Sequence, residues 1–315
     1  MGLLSEIRRR ATHTLRRLDE PERPPAPFVV GVPRSGTTLL RLMLDAHPDL
    51  AIPPETHFLP KLIRACREAE KEGRDPGRTA IRLVTNHRRW PDFGLTEADL
   101  RASMKAERGL TATDAARAFY EAYAAKQGKE RWGEKTPQYV KTMKRIGSAL
   151  PEAHFIHLIR DGRDVALSLL DVSWGPNTIE DAAVKWTTQV RRARRKSRSV
   201  AHYIEVRYEG LVTDPEPIVR HVCEFVQLPF DPAMLDYHER AGERMAGVAR
   251  DLDPGGDRER ITASQRASQH SLVSEAPRSE RAGRWREQMD PGDVATFERI
   301  AGPTLVELGY DLVGH

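Results

Sequence analysis

The sequence has only two cysteines, Cys66 and Cys223. That excludes a disulfide framework and any four-cysteine zinc site. Neither lies in a redox motif, so each reads as a small core hydrophobe. No run approaches the roughly 18 uninterrupted apolar residues of a membrane span. The N-terminus, MGLLSEIRRRATHTLRRL, lacks the apolar core of a secretory signal, so a cytoplasmic protein is expected. No charge of one sign dominates: 50 Lys and Arg face 46 Asp and Glu, a net charge of +4. So small an excess does not argue for nucleic acid. It fits one electropositive cleft for an anionic ligand. The histidines show no metal-ligand spacing, and no metal is expected.

What is present suffices for a core: 39% of the 315 residues are hydrophobic and 30% charged, which argues against global disorder. Residues 1–20 place Leu3, Leu4, Ile7, Ala11, Leu15 and Leu18 near one face of a basic amphipathic helix. It reads as a docking helix or frayed tail, with weak membrane-surface contact as the sharper alternative. PERPPAP (21–27) breaks any helix and reads as a linker. A single domain is expected over 28–315.

Phe28 to Val32 is a short β-branched apolar run, hence a buried strand. Thr38 to Ala46 has helical periodicity. Together they form a strand–loop–helix unit, the opening of a doubly wound parallel sheet. Residues 58–127 read as several helices, including Phe58–Glu72 and Ala112–Lys126. Strand character returns at Arg131–Gly133, His154–Ile159 and Tyr203–Arg207. Helices are expected at Arg163–Leu170, Thr178–Ser199, Glu216–Val226 and Pro291–Leu308. Residues 242–284 are polar and rich in Gly, Ser and Arg, and read as a long loop, which in a compact domain is usually functional or mobile.

Another absence defines the chemistry. Gly31-Val-Pro-Arg-Ser-Gly36-Thr37-Thr38 has the frame of a phosphate loop, but Thr37 stands where a nucleoside triphosphatase has its lysine. Successive backbone N–H groups and the helix N-terminus still favour an anion, and Thr37 and Thr38 add hydroxyls. A cation comes from Arg34 within the loop. Without that lysine, hydrolysis of ATP or GTP is disfavoured, and a single 5′-phosphate group remains suitable.

GVPRSGTTLLRLMLDAHP and LIRDGRDVALSLL resemble the two phosphate-binding motifs of sulfotransferases that use 3′-phosphoadenosine 5′-phosphosulfate (PAPS). In the second motif an Arg is followed eight residues later by a Ser, here Arg160 and Ser168. PRSGTTL, DAHP, the ET of IPPETHF, YE-LV-P and a C-terminal LGYD resemble the branch of protein-tyrosine sulfotransferases and their bacterial relatives. The resemblance spans most of 28–310. It implies a P-loop-like α/β fold with a central parallel sheet flanked by helices.

The resemblance also implies roles. Ser35 lies in the loop, and Gly36, Thr37 and Thr38 would bind the 5′-phosphate. Arg34 would contact the phosphosulfate. Arg160 and Ser168 would hold the 3′-phosphate, and Tyr208 would touch the nucleotide. Gly283–Trp285 resembles the turn of a loop that closes over the donor. Arg278 corresponds to an Arg that grips the 3′-phosphate in cytosolic relatives. The product would be 3′-phosphoadenosine 5′-phosphate (PAP).

Sulfuryl transfer needs a base for the acceptor proton and cations for the leaving phosphate. Glu55 matches the family's base. Its other reading is that Glu55 and Thr56 cap the following helix. Lys135, in WGEKTPQY, matches a Lys that neutralises the bridging oxygen. Its other reading is a surface lysine paired with Glu134. His57 stands where tyrosine sulfotransferases carry Arg, and is a candidate acceptor contact. Arg163 and Asp164 are either site residues or ordinary first-turn residues. The basic run from Arg191 to Arg198 has no interleaved aromatics and reads as a solvated helix face.

A kinase or NTPase with a degenerate lysine, and a non-catalytic nucleotide-binding scaffold, are the competing readings. Thr37 argues against the first. Joint retention of Glu55, Lys135, Arg160 and Ser168 argues against the second. The acceptor stays open among small-molecule, carbohydrate, lipid and peptide hydroxyls. The Arg-to-His departure and the missing disulfide cysteines leave peptide tyrosine as only one of these.

Overall fold

In the computed structural model, residues 23–104, 110–246 and 275–313 are described, together with 251 and 262. The N-terminal helix expected over 1–20 and much of the 242–284 tract lie outside the described residues.

The apolar run at Phe28 lies in strand β1 (Ala26–Gly31), every residue of which is buried. The strand starts inside the stretch expected to be linker. Pro27 fits there because β1 pairs only with β5 at that point, and its other neighbour begins opposite Phe28. The loop and helix α1 (Thr37–Asp45) follow, then β2 (Leu50–Ala51), α2 (Leu59–Lys71) and α3 (Pro76–Thr85). Next come α4 (Glu97–Ser103) and α5 (Ala112–Lys126), both opened by capping boxes, from Thr96 with Asp99 and from Thr111 with Asp114.

Strands β3 (Arg131–Trp132) and β4 (Glu134–Lys135) are separated only by Gly133. β3 pairs with β2 in a small parallel sheet, while β4 joins β1 in the main one. A side chain at 133 would meet Pro27 Cγ at 2.8 Å, so the switch between sheets needs glycine. The strand expected at Arg131–Gly133 covers β3 but stops before β4, and β2 was not expected, because two-residue strands carry no periodicity.

The chain continues through α6 (Met143–Gly147), β5 (Ala153–Ile159), α7 (Gly162–Leu170), α8 (Ile179–Ser197) and β6 (Tyr203–Arg207). The main sheet has the order β4-β1-β5-β6, all parallel. Helices α9 (Tyr208–Thr213), α10 (Pro215–Phe225), α11 (His238–Ala246), α12 (Trp285–Gln288) and α13 (Pro291–Glu307) complete the order. α9 and α11 were not expected, and α11 runs into the tract read as loop.

Alternation along the strands shows the layering. Phe28, Val30 and Phe155 pack into a core with α2, α3 and α5, whereas Val29, Ile156 and Leu158 pack into one with α1, α9 and α10. Both faces are covered, which is why β1 and β5 read as continuous apolar runs. A third cluster holds Trp186, Phe297 and Trp285 around α7, α8 and α13. Cys66 and Cys223 are buried and unbridged, as small core residues. Among the described residues no helix is long and apolar enough to cross a membrane.

Candidate active site

Parallel strands deliver their following residues to one edge of the sheet, where open α/β folds bind ligands. The 32–36 loop leaves β1 there, Thr136 leaves β4, Arg160 leaves β5 and Tyr208 leaves β6.

The loop after β1 is shaped by two left-handed residues, Arg34 at φ 74° and Gly36 at φ 89°. Gly36 has a second constraint: a Cβ there would lie 2.3 Å from Tyr208 Cδ2. The loop therefore presses directly on the Tyr208 ring. Gly36 caps α1 without any side-chain bond, and the first turn of α1 holds no acidic residue. The helix end stays electropositive. Ser35 is 1% exposed, and its hydroxyl has no hydrogen-bond partner among the described residues.

Arginines converge beside this loop. Arg34 Nε donates to Ser168 Oγ at 2.8 Å. Arg160 donates to the Arg34 carbonyl at 3.4 Å and to the Arg281 carbonyl at 2.7 Å. Its guanidinium lies 4.4 Å from the Tyr208 ring centre, on the ring that Gly36 touches. Arg160 Nε is buried without a hydrogen-bond partner among the described residues. Burial and the nearby Arg160 both push the Arg34 guanidinium below its ordinary pKa. A bound anion would relieve that repulsion.

At the other side of α1, Lys135 Nζ donates to Glu55 Oε1 at 2.7 Å and to Thr38 Oγ1 at 3.2 Å. Lys135 is 3% exposed, so this is no surface lysine. Its neighbour Glu134 points to the opposite side of the strand, as alternation requires. His57 Nε2 bonds the second oxygen, Glu55 Oε2, at 2.8 Å. Burial raises the Glu55 pKa, but Lys135, His57 and Arg89 outweigh it and hold the carboxyl well below its ordinary range. Burial lowers the Lys135 ammonium, against the pull of Glu55. The capping alternative for Glu55 and Thr56 fails: α2 starts at Leu59, its N-cap is Phe58, and no side chain caps it.

A cradle of backbone amides, two arginines and a Glu55–Lys135 pair whose lysine is buried thus shares one sheet edge. The family model described as "Sulfotransferase family" matches residues 25–232, which include all of these groups except Arg281. The chain belongs to the sulfotransferase family.

Among its relatives, protein-tyrosine sulfotransferase 1 of Danio rerio is 27% identical over 295 residues, covering 91% of this chain and 72% of that protein. Protein-tyrosine sulfotransferase 2 of Gallus gallus is 27% identical over 296 residues, with 91% and 70% covered. The sulfotransferase domain of the Synechococcus PCC 7002 olefin synthase has a similar fold. Its TM-score is 0.59 at 26% identity, covering 93% of this chain and 98% of that one.

The sulfotransferase brings Arg34, Ser35, Gly36, Thr37, Thr38, Glu55, His57, Lys135, Arg160, Ser168 and Tyr208 to this edge. It does not bring Arg278 with them. That side chain is 62% exposed and pairs with Glu275 at 3.4 Å. The tract resumes after the undescribed residues, and one more turn of chain is needed to reach the cleft. Arg281 arrives there instead: its carbonyl receives Arg160, and its side chain, which also pairs with Glu275 at 3.1 Å, is 15% exposed.

Arg163 and Asp164 also resolve. Arg163 is fully buried, paired with Asp161 at 2.7 Å and Glu298 at 2.6 Å, and stacked on Trp285 at 3.6 Å. Asp164 accepts from Gly283 N at 2.8 Å and Trp285 N at 2.9 Å. Arg163 and Asp164 fasten the Gly283–Trp285 turn to α7 beside Arg160. In the basic run, Arg194 pairs with Glu205 and Glu307 while Arg191, Arg192, Arg195 and Arg198 face solvent.

Sequence reasoning missed Arg89, whose charge acts on both Glu55 and Lys135. It also missed Glu134, Thr56, Tyr120 and Tyr139, which hydrogen-bond together beneath the pair. The only signal was that Thr56 and Glu134 adjoin the two candidate residues. Among the described residues no group of three or more His, Cys, Asp or Glu side chains is arranged to hold a metal ion.

Proposed function

We propose that this sulfotransferase moves a sulfuryl group from PAPS to an acceptor hydroxyl, with Glu55 as general base. The observation that carries this reading is the buried Lys135 ammonium held between Glu55 and Thr38. It joins a base to the first turn of a phosphate-binding helix. Two features support a doubly phosphorylated ligand: the unpartnered Ser35 hydroxyl beside the helix end, and the unpartnered Arg160 Nε beside Arg34.

PAPS supplies an activated sulfuryl group: the acceptor oxygen bonds to sulfur, and the S–O bond to the 5′-phosphate breaks with its electron pair leaving on PAP. The protein's part is binding, charge and proton removal. Thr37, Thr38 and the amides of the 34–38 loop hold the 5′-phosphate, with Arg34 adding charge. Arg160 and Ser168 hold the 3′-phosphate, and Tyr208 lines the nucleotide. Arg281 is the better placed partner for Arg160, and Arg278 is kept as the family-based candidate.

Lys135 neutralises the oxygen on which charge develops, a task suited to a compact movable cation. As it turns toward that oxygen, Glu55 loses its strongest stabilising charge. Its proton affinity then rises, and it takes the acceptor's proton. The carboxylate thus gains basicity when the donor is seated. His57, on the other Glu55 oxygen, orients the carboxylate and faces the acceptor.

The curated relatives named above are protein-tyrosine sulfotransferases, which makes a peptide tyrosine one acceptor to test beside phenols, carbohydrates and lipid hydroxyls. Thermal unfolding with added ligand tests the donor. PAP is expected to raise the melting temperature by mass action, and ATP with Mg²⁺ to do far less. Equal shifts from both would favour the NTPase-like reading.

A further inference from the structure

Beneath the Glu55–Lys135 pair lies a second, fully buried contact. Glu134 is 1% exposed, and Thr56, Thr136, Tyr120 and Tyr139 are each at most 4% exposed. Glu134 Oε2 accepts from Tyr120 Oη at 2.5 Å and from Thr56 Oγ1 at 2.9 Å. Its Oε1 accepts from Thr136 Oγ1 at 2.6 Å. Thr136 Oγ1 in turn accepts from Thr56 N at 3.1 Å. Tyr139 Oη accepts from Leu59 N at 2.9 Å and lies 2.7 Å from Thr56 Oγ1.

Each hydroxyl has one proton to give, and an ionised carboxylate only accepts. With Glu134 ionised, every bond direction is therefore fixed. One chain runs from Leu59 N through Tyr139 and Thr56 to Glu134. A second runs from Thr56 N through Thr136 to Glu134. Both end on the carboxylate, and both pass through Thr56.

Thr56 lies between Glu55 and His57, and Glu134 immediately precedes Lys135. The Thr56–Glu134 bond thus sits one residue away from the Glu55–Lys135 bond on both chains. His57 has φ 56°, a conformation that a residue with a side chain resists. Something must hold the loop there, and the two anchors of Thr56 are adjacent to the strained residue.

We propose that Glu134 is a positioning residue: through Thr56 it holds Glu55 in register with Lys135. This role rests on those proposed above for Glu55 and Lys135. Burial pushes the Glu134 carboxyl up to about 7, even though three hydroxyls donate to it and Lys135 lies nearby. Above that pH the fold carries an anion that burial disfavours, as expected of a group retained for its effect on the site.

Glu134→Gln, Thr56→Val and Thr56→Ser test this in the full chain. PAPS cleavage to PAP is followed with water, 2-naphthol or a tyrosine-containing peptide as acceptor. PAP affinity is measured by calorimetry, and the melting temperature at pH 8. Glu134→Gln is expected to lower kcat at least tenfold, with the PAP Kd within threefold and the melting temperature equal to or above wild type. Thr56→Val is expected to lose as much rate. Thr56→Ser, which keeps the hydroxyl, is expected to stay within threefold of wild type.

A wild-type rate in Glu134→Gln would overturn the role. So would parallel losses of rate, PAP binding and melting temperature in Glu134→Gln and both Thr56 variants, which would mark a purely structural network. Should Glu134→Gln not fold, the Thr56 pair decides: equal rates in Val and Ser contradict the proposal. A wild-type protein that neither binds PAP nor cleaves PAPS would remove the sulfuryl-transfer reading and this role together. An active wild type with an equally active Glu134→Gln would remove this role alone.

Discussion

Lys135 Nζ lies 2.7 Å from Glu55 Oε1, although the two residues are 80 positions apart in the chain. β4 carries the lysine and the loop before α2 carries the glutamate. Each favours the other's charged form. Glu55→Gln ends that arrangement without changing the side chain's shape. Turnover is expected to fall by about 10²-fold or more, the usual scale for loss of a general base. PAP affinity is expected to hold or to tighten a few-fold, because Lys135 is released toward phosphate. Steady-state kinetics and PAP calorimetry check this; a wild-type kcat would rule out Glu55 as the base.

Gly36→Ala is expected to damage the cradle from two directions. Its φ of 89° is strained for any side chain, and the new Cβ would collide with Tyr208 at 2.3 Å. The backbone conformation alone costs about 1–3 kcal/mol. Chemical denaturation should report a loss of at least that size, and PAP binding should fall with it. A stable, PAP-binding Gly36→Ala protein would contradict the described loop.

The two C-terminal arginines differ in a measurable way. Arg160→Ala removes a charge-assisted contact and is expected to weaken PAP binding by roughly 1.5–3 kcal/mol. Arg281→Ala should weaken it less than Arg160→Ala but more than Arg278→Ala, because both side chains pair with Glu275 but Arg278 is 62% exposed and Arg281 15%. Calorimetric titration of the three variants gives the order. The reverse order for the last two would restore Arg278 as the 3′-phosphate partner.

Glu55 and Glu134 impose opposite pH dependences on stability. Glu55 has a lowered pKa in the fold, through Lys135 and His57 acting against burial. Its contribution is present above its unfolded pKa and is lost as pH falls through the folded value. Glu134 is raised by burial from 4.5 to about 7. Its relative contribution is present below 4.5 and is lost as pH rises through about 7. Glu134→Gln is therefore expected to gain stability over wild type between pH 5 and pH 8, by up to a few kcal/mol (about 1.4 per unit of pKa shift). Urea denaturation at the two pH values checks the sign, and parallel curves would contradict it.

Much of this was legible in the residues because local pattern and tertiary role agree. Phe28–Val32 and His154–Ile159 are apolar runs covered on both faces, and they read as buried strands. The spacing from Gly31 to Thr38 announced the turn and helix that bind phosphate. Other features depend on contacts that no local pattern records. Leu50–Ala51 is a strand only because Arg131–Trp132 pairs with it. Glu55 and Lys135 carried no physical signal of their meeting, and the family resemblance alone joined them. Glu134 read as a partner for Lys135, although strand alternation turns the two apart. Its real partners come from α5, the Glu55 loop and the turn after β4, so two tertiary contacts and one local one define this residue. Arg278 was chosen by counting back from Trp285 across a variable stretch, and the chain places Arg281 at the cleft instead.

The central claim is that a phosphate loop with threonine in place of lysine holds an adenosine phosphosulfate. A crystal structure of the protein with PAP tests it most directly. The 5′-phosphate is expected on the amides of residues 34–38 with Lys135 turned toward it, and the 3′-phosphate on Arg160 and Ser168. PAP lying elsewhere, with Lys135 still on Glu55 and nothing bound at the 34–38 amides, would contradict the account.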